Sequence, residues 1–206
     1  MATTYNCPNC GAAQDPAFRA ARMMTCTSCG TTLFLDPSGA RDAGSAGVMH
    51  DAPSLLTLGT DVRLAGAVWH VVGHARYSYG RGHWDEYWCT SGDDAAWISV
   101  DEGDVVVQRA LPPDDAPRLS GPPPTGQTIE VASGFWGADT YRVTEREEAR
   151  CEAIRGSFPE PLEVGETHTF VNANGEHGGL LSGEFWDGGQ AWFLGEWVDP
   201  FDVRAA

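Results

Sequence analysis

The most constraining feature of this 206-residue chain is a pair of cysteine knuckles near its start. The segments CPNCG at 7–11 and CTSCG at 26–30 leave fifteen residues between the second and third cysteines. Two residues between paired cysteines allow a tight turn that points both sulfur atoms at one ion, and the following glycine permits a positive φ. Four thiolates around one ion form a closed tetrahedral site. We therefore predict a structural zinc ribbon over residues 1–35, with the ligands Cys7, Cys10, Cys26 and Cys29.

Disulfide bonds, a redox dithiol and a four-sulfur iron site are the alternatives to zinc. The residues before Cys7 are polar, and no apolar run reaches the roughly 18 residues that cross a bilayer. We therefore expect a cytoplasmic protein without a signal peptide or a membrane insertion. Thiols stay reduced in that compartment, which argues against disulfides and leaves iron as the main alternative metal.

Charge separates the ribbon from the rest of the chain. Residues 1–50 carry three aspartates and three arginines, so the formal net charge of −16 belongs to the remaining residues. An acidic surface repels phosphate backbones and anionic membranes. Near the middle of the ribbon, the basic side chains are only Arg19 and Arg22. We therefore predict a protein partner, and we retain a nucleic-acid-binding zinc ribbon as a third functional hypothesis.

Two stretches without apolar periodicity divide the chain. Residues 36–54, rich in Gly, Ala, Ser and Asp, are predicted to be a flexible linker. Residues 110–127 contain six prolines and are predicted to be a stiffer, extended connector. The segments 55–109 and 128–204 hold short Val-rich and aromatic runs between glycines, which is typical of strands. We predict an all-β protein in which the zinc ribbon precedes two related β-barrel-like modules of bent antiparallel sheet.

The two modules share a sequence pattern that predicts an internal duplication. The aromatic positions within the pattern are expected to fill the core of each module. The matched segments are WHV at 69–71 with YRV at 141–143, EYW at 86–88 with EFW at 184–186, and AWI at 96–98 with AWF at 191–193.

Three histidines and a carboxylate form the candidate small-ligand site. His70 and His74 share one face if their strand is regular, and His83 and Glu86 follow close behind in the sequence. The sequence contains no HExxH, GxSxG or phosphate-binding glycine motif, so we predict no catalytic residues and do not expect an enzyme. Cys89 lies in an aromatic run and is predicted to be a core residue.

Six short motifs follow one another over roughly residues 55–204: Leu58-Gly59, Trp69-His70-Val71-Val72-Gly73, Trp84-Asp85-Glu86-Tyr87, Trp97-Ile98, Tyr141-Arg142-Val143-Thr144-Glu145 and Gly195-Glu196-Trp197-Val198. In their order and spacing the chain resembles an uncharacterised bacterial family, domain of unknown function 4178. Members often carry a CxxC…CxxC ribbon in front, as this chain does. The resemblance implies an all-β domain and an accessory role near the membrane, and it supplies no catalytic residues. It also favours strand structure for residues 144–156, whose own pattern fits a capped helix as well as a strand.

These observations lead to a functional hypothesis of a non-enzymatic, cytosolic zinc-ribbon adaptor. Its ribbon and β modules would contact a protein partner, such as a membrane protein or a component of an enzyme complex, through exposed Trp and Tyr side chains. The alternative hypothesis is a small-ligand-binding protein or an enzyme that uses the region of His70 and His74.

Overall fold

The computed structural model describes residues 4–50, 53–134 and 137–206. Residues 1–3, 51–52 and 135–136 belong to the predicted ribbon, linker and second module, and they lie outside the described residues. Within the described ranges the regular structure is β-strand apart from one 3-10 turn at Pro200–Asp202, which confirms the all-β prediction. The same ranges contain no apolar helix of the length that a membrane span requires.

The N-terminal region is built from short antiparallel strands. The first two strands pair with each other, and the next three pair in chain order. Their bounds are β1 (Tyr5–Asn6), β2 (Ala13–Gln14), β3 (Met23–Thr25), β4 (Thr31–Asp36) and β5 (Gly39–Ser45).

Each of the two predicted modules is a five-stranded antiparallel meander. The first contains β6 (Asp61–Leu64), β7 (Ala67–Ser78), β8 (His83–Ser91), β9 (Asp94–Asp101) and β10 (Asp104–Ala110). The second contains β11 (Thr128–Ser133), β12 (Gly137–Phe158), β13 (Thr167–Gly175), β14 (Leu180–Trp186) and β15 (Gly189–Val198). Residues 144–156 fall within β12, as the strand interpretation predicts. A last strand, β16 (Arg204–Ala205), pairs with β6.

The two modules are joined edge to edge into one body of sheet. β10 pairs antiparallel with β15, and β7 pairs antiparallel with β12. Strands β7 to β10 and β12 to β15 therefore close into a ring of eight antiparallel strands, with β6 and β11 outside the ring. A closed ring leaves no unpaired edge among its eight members.

β-bulges decide which side chains face the inside of the ring. β7 skips one register position between Val71 and Gly73, and β12 does so between Val143 and Glu145. Because side chains alternate across a strand, an extra residue moves the following side chains to the opposite face. Val143 consequently packs in an outer core, whereas Glu145 lines the interior of the ring.

The bulges also bear on the predicted duplication. The repeated segments 69–71 and 141–143 lie on β7 and β12, and each immediately precedes a bulge. The segments 86–88 and 184–186 lie on β8 and β14, which are not equivalent in strand order because β8 is the third strand of its meander and β14 the fourth. The duplication therefore stays a prediction, with only its first matched pair at equivalent strand positions.

Two apolar cores cover the outer face of the ring, one for each module. In the first, Val62 and Leu64 of β6 pack on buried side chains of β7 to β10, including Trp69 and Ile98. In the second, Ile129 and Val131 of β11 pack with buried side chains of β12 to β15. Burying these faces supplies much of the driving force for folding, at roughly 25 cal/mol per Å² of apolar area.

The predicted proline-rich connector lies against the second module. Leu111 is buried in the outer core there, and its N–H donates to the carbonyl oxygen of Trp192 at 2.7 Å. The Gln190 side chain donates to the carbonyl oxygen of Leu119 at 2.8 Å. Ala110, the first residue of the predicted connector, ends β10, whereas residues 111–127 contain no strand and complete the core beneath them.

The prediction of a flexible linker at 36–54 is wrong for most of its length. Residues 39–45 form β5, which pairs with β4. Beyond β5, the Arg155 guanidinium donates to the carbonyl oxygens of Ala46 and Gly47 at 2.7 and 3.0 Å, and Arg76 donates to that of His50 at 2.8 Å. Arginines far along the sequence therefore fix a segment whose own composition favours flexibility.

The ribbon is docked on the ring. Strand β3 pairs with the end of β12, where Met24 opposes Ser157 and Met23 opposes Phe158. Met23 and Phe158 share one buried cluster with Trp97, a side chain of the ring interior. The ribbon therefore packs against a wall of the ring interior.

Candidate functional site

The four cysteines of the ribbon form a compact group of sulfur atoms. All four Sγ atoms lie within 4.8 Å of one another, and the Cys7–Cys29 and Cys10–Cys26 pairs are each 3.7 Å apart. A tetrahedron with metal–sulfur bonds of about 2.3 Å has sulfur–sulfur edges of about 3.8 Å. The arrangement therefore fits a tetrahedral metal centre with four thiolate ligands.

The two knuckles have the same backbone geometry, which explains how their sequences hold the sulfurs in place. In each, the glycine N–H donates to the carbonyl oxygen of the first cysteine, from Gly11 to Cys7 at 2.8 Å and from Gly30 to Cys26 at 2.9 Å. Gly11 and Gly30 have φ values of 75° and 73°, in the region that glycine adopts without strain. The prediction from the CxxCG spacing is confirmed at the level of geometry.

Side chains around the cysteines connect one knuckle to the other. The Asn9 amide donates to the Thr31 hydroxyl at 2.8 Å and points at the sulfur of Cys29 at 3.7 Å. Gln14 accepts a hydrogen bond from the N–H of Thr27 at 2.9 Å. Such outer contacts orient metal ligands and raise metal affinity.

The predicted histidine site does not assemble. The bulge in β7 places His70 and His74 on opposite faces of the sheet, so the regular strand on which that hypothesis depended is absent. His70 pairs with Asp61 at 2.7 Å on an exposed surface, and His74 pairs with Asp85 at 2.7 Å. His83 pairs with Glu152 at 3.1 Å. Each histidine therefore has its own acidic partner, and none of the three approaches Glu86 closely enough for an ion pair.

The two cysteines outside the ribbon are buried thiols. Cys89 is fully buried in the first outer core, which confirms the prediction for that residue. Burial raises the pKa of Cys151 to about 12, and burial also raises the pKa of Cys89. A nucleophilic cysteine requires a lowered pKa, so neither thiol is activated.

The eight-stranded ring encloses a cavity of about 570 Å³. All eight ring strands and the segment 160–166 contribute side chains to its wall. Seven aromatic side chains line the cavity, and two of them, Trp84 and Phe170, pack against each other in its wall with ring centroids 5.0 Å apart. The volume lies within the range of roughly 300–1,000 Å³ that is typical of small-molecule sites. The aromatic residues are Tyr77, Trp84, Trp97, Phe170, Trp186, Phe193 and Trp197.

The cavity wall is strongly acidic. Eight carboxylates line it, and no arginine does among the residues that the structure describes. The half-buried members are Glu86, Asp101, Glu145 and Glu184, and the exposed members are Asp104, Glu160, Glu163 and Glu166.

Two interior glutamates differ in their hydrogen bonds. Glu86 accepts from the Trp84 indole at 3.1 Å and from the Ser99 hydroxyl at 3.2 Å, although burial still raises its pKa. Within the described ranges, Glu184 has no hydrogen-bond or ion-pair partner. Burial and the negative charge of Glu86 raise the pKa of Glu184 to about 8. The cavity therefore contains a carboxyl group that lacks a counter-charge.

Other polar atoms of the wall are unpaired as well. Gln108 is only 6% exposed, and its side-chain oxygen has no hydrogen-bond partner, although its amide nitrogen donates to Ser99 at 3.3 Å. One carboxylate oxygen of Asp101 and Nε2 of His168 are also buried without a partner. Burial and the neighbouring Glu102 raise the pKa of Asp101 to about 6, and burial lowers that of His168. Unpaired buried polar atoms are rare in folded proteins and indicate water or a ligand.

A comparison with known protein families shows to which family the chain belongs. The model of the family described as "Domain of unknown function (DUF4178)" matches residues 57–200. The chain belongs to this family. The matched region spans β6 to β15, so it contains the cavity, whereas the ribbon lies outside it. No curated protein and no solved structure matches the chain.

One sequence pattern could have indicated the cavity, but the many aromatic residues around it favoured the prediction of a filled core. Trp84, Glu86 and Trp88 alternate onto one face of β8, so a carboxylate stands between two tryptophans. Glu184 and Trp186 repeat the pattern on β14. A glutamate on an apolar strand face indicates a polar interior, whereas the aromatic residues alone predict a filled core.

Proposed function

We propose that this protein is a small-molecule-binding protein of the cytoplasm, not an enzyme, in which a zinc ion stabilises the ribbon. The observation that carries the proposal is the cavity of about 570 Å³, walled by all eight ring strands and bearing unpaired polar atoms. Rigid strands hold these groups in position, which favours binding with little loss of conformational entropy. This modifies the small-ligand hypothesis by moving the site from the histidines to the ring interior.

The binding proposal is tested by blocking the cavity. Ser182 lines it and donates to Asn172 at 2.7 Å, so Ser182→Phe places a ring in the ligand space. Ser120→Phe, in the exposed part of the connector, is the matched control. A small-molecule fragment library is screened by thermal shift, and bound compounds are sought by native mass spectrometry of the full chain. We expect ligands that stabilise the wild type and Ser120→Phe but not Ser182→Phe. Equal responses in all three proteins, or no ligand at all, would overturn the proposal.

Zinc is proposed for the ribbon because four sulfur ligands at tetrahedral separations leave no open coordination position. A closed site of this kind has a structural role. Metal analysis of the purified full chain is expected to give one zinc per chain. Iron at the same stoichiometry would contradict the choice of metal, and no metal would contradict the site.

Binding of a protein partner is the second candidate function. Phe201 is 87% exposed, and Trp186 and Trp197 are 45% and 44% exposed. Exposed aromatic side chains are enriched at protein interfaces. The adaptor proposal, with a membrane protein or a component of an enzyme complex as partner, predicts a stoichiometric partner in a gentle affinity purification that is lost with Phe201→Ala. A chain that purifies alone under these conditions would argue against it.

A further inference from the structure

The carboxylates of the cavity restrict the charge of its ligand. Eight acidic side chains line the wall, no described arginine does, and the one histidine there has a pKa lowered by burial. Among the eight, only Glu145 has an arginine partner within the described ranges, Arg81 at 3.4 Å, so the wall keeps an excess of acidic groups that disfavours an anion and that a neutral ligand leaves unpaired. A cation supplies the missing counter-charge.

The unpaired polar atoms of the wall also favour a cationic ligand. The side-chain oxygen of Gln108 and one carboxylate oxygen of Asp101 are buried acceptors without donors. Gln108 is more than nine-tenths buried and lines the cavity, so its free acceptor is independent of the acidic cluster. A water molecule can donate to such acceptors, but it brings no counter-charge to the carboxyl group of Glu184. A positively charged nitrogen with N–H groups can donate to acceptors and also pair with the carboxylate that Glu184 forms when it releases its proton.

The spacing of the carboxylates excludes a bare metal ion as the natural occupant. Among residues 4–50, 53–134 and 137–206, the ribbon cysteines are the only group of three or more His, Cys, Asp or Glu side chains close enough together to hold one ion. Hard cations such as Ca²⁺ need six or more oxygens at 2.3–2.6 Å. Oxygens spread over β8, β9, β12 and β14 suit a larger cation.

The aromatic side chains indicate the rest of the ligand. Trp84 and Phe170 pack against each other at a tilt, and each adjoins a carboxyl group: the Trp84 indole donates to Glu86, and Phe170 lies opposite Glu184 in the pairing of β13 with β14. Aromatic faces attract cations and pack against hydrocarbon. We propose, on the basis of the proposed binding function, that the ligand is an organic ammonium ion whose nitrogen lies between Glu86 and Glu184 and whose apolar body packs on these rings.

The test uses ligands of matched shape and different charge. Hexylamine and hexyltrimethylammonium are compared with hexanol and hexanoate by isothermal titration calorimetry on the zinc-loaded full chain, with CaCl₂ and MgCl₂ as metal-only probes. We expect the two ammonium ions to bind at least about tenfold more tightly than hexanol, and hexanoate not to bind. The trimethyl compound has no N–H, so tighter binding of hexylamine would assign part of the affinity to hydrogen bonds.

Variants locate the charge contact. Glu184→Gln keeps the size of the side chain and is expected to weaken hexylamine binding at least about tenfold, while Glu130→Gln on the exposed face of β11 changes it less than twofold. Glu184→Gln replaces a carboxyl group that has no ion-pair partner with a neutral amide of the same size, so it should fold at least as stably as the wild type. Glu86→Gln provides the second, independent measurement.

The outcomes separate the two proposals. If hexanol or hexanoate binds as well as hexylamine and Ser182→Phe abolishes that binding, the cavity is a small-molecule site but the ammonium inference is wrong. If CaCl₂ or MgCl₂ alone reproduces the binding signal, the occupant is a metal ion and the inference is also wrong. If no probe binds, and the fragment screen is equally negative, the binding function itself fails.

Discussion

The ribbon and the cavity are both polar centres, but they hold their reactive groups in different ways. In the ribbon, four sulfur atoms from one short stretch of chain converge within 4.8 Å. In the cavity, eight carboxylates come from five ring strands and the segment 160–166, and Glu184 has no counter-charge within the described ranges. The first centre is specified by local turns and fits a single ion. The second exists only once the ring has closed, and it has room for a molecule.

The largest expected effect comes from disrupting the metal centre proposed for the ribbon. Cys26→Ser deletes a ligand, and structural zinc contributes an apparent 10–16 kcal/mol or so in isolated zinc fingers. We expect hydrogen–deuterium exchange to show loss of protection in residues 4–36 while β8, β9 and β14 of the ring stay protected. Ser28→Ala, at an exposed non-ligand position of the same knuckle, is the control. Protection that persists in Cys26→Ser would show that packing on the ring, not metal, holds the ribbon.

The second-largest expected effect is a loss of stability when the contact between the ribbon and the ring is removed. Phe158 is fully buried between Met23 of the ribbon and Trp97 of the ring. Phe158→Ala should lower the free energy of unfolding by about 3–5 kcal/mol, as deletion of a buried ring does elsewhere. Phe201→Ala, at an 87% exposed position, should change it by less than about 0.5 kcal/mol in urea denaturation. Similar effects of the two substitutions would mean that ribbon and ring are not packed as one body.

A change of pH should act on the carboxyl groups of the cavity. The pKa of Glu184 rises from its ordinary 4.5 to about 8, so between these values the folded chain binds a proton that the unfolded chain does not. Stability therefore falls as the pH rises from about 4.5 to about 8, by at most about 1.4 kcal/mol per pH unit for one proton. Asp101 adds to the fall up to a pH of about 6.

The groups that set this response face Glu184 from several elements. Burial raises its pKa most, and the negative charges of Glu86 on β8 and of Glu160 and Glu166 in the segment before β13 raise it further. Thermal melts of the ligand-free protein from pH 5 to pH 9 measure the effect. Glu184→Gln should flatten the curve above pH 6, and a curve as steep as that of the wild type would show that other groups carry it.

The smallest expected effect lies at the rim of the cavity. Arg81 is well exposed and pairs with Glu147 at 2.8 Å and with Glu145 at 3.4 Å. Exposed pairs contribute about 0–1 kcal/mol, so Arg81→Ala should change the urea midpoint only slightly. A larger loss would indicate that the rim is a structural part of the ring.

The sequence allowed the ribbon ligands and the all-β class to be predicted because both depend on local signals. The CxxCG knuckles need only their own turns, and the strands follow from alternation between glycines. The cavity could not be predicted in this way. Whether Glu145 faces inward depends on a bulge after Val143, and that bulge is defined by pairing with β13. Likewise, the segment at 46–50 is fixed by Arg155 and Arg76, which local composition does not report.

The pairing of strand β12 has a consequence for how the chain folds during synthesis. Its 22 residues pair in turn with β11, β13, β7 and β3, and the pairing of Tyr77 with Cys151 joins positions more than seventy residues apart. Such distant contacts form slowly. During synthesis, the first meander therefore emerges before the strands that pair with the outer sides of β7 and β10. These unpaired strand edges can pair with other chains until the second meander has been synthesised. Translation pauses and chaperone binding should matter most in that interval.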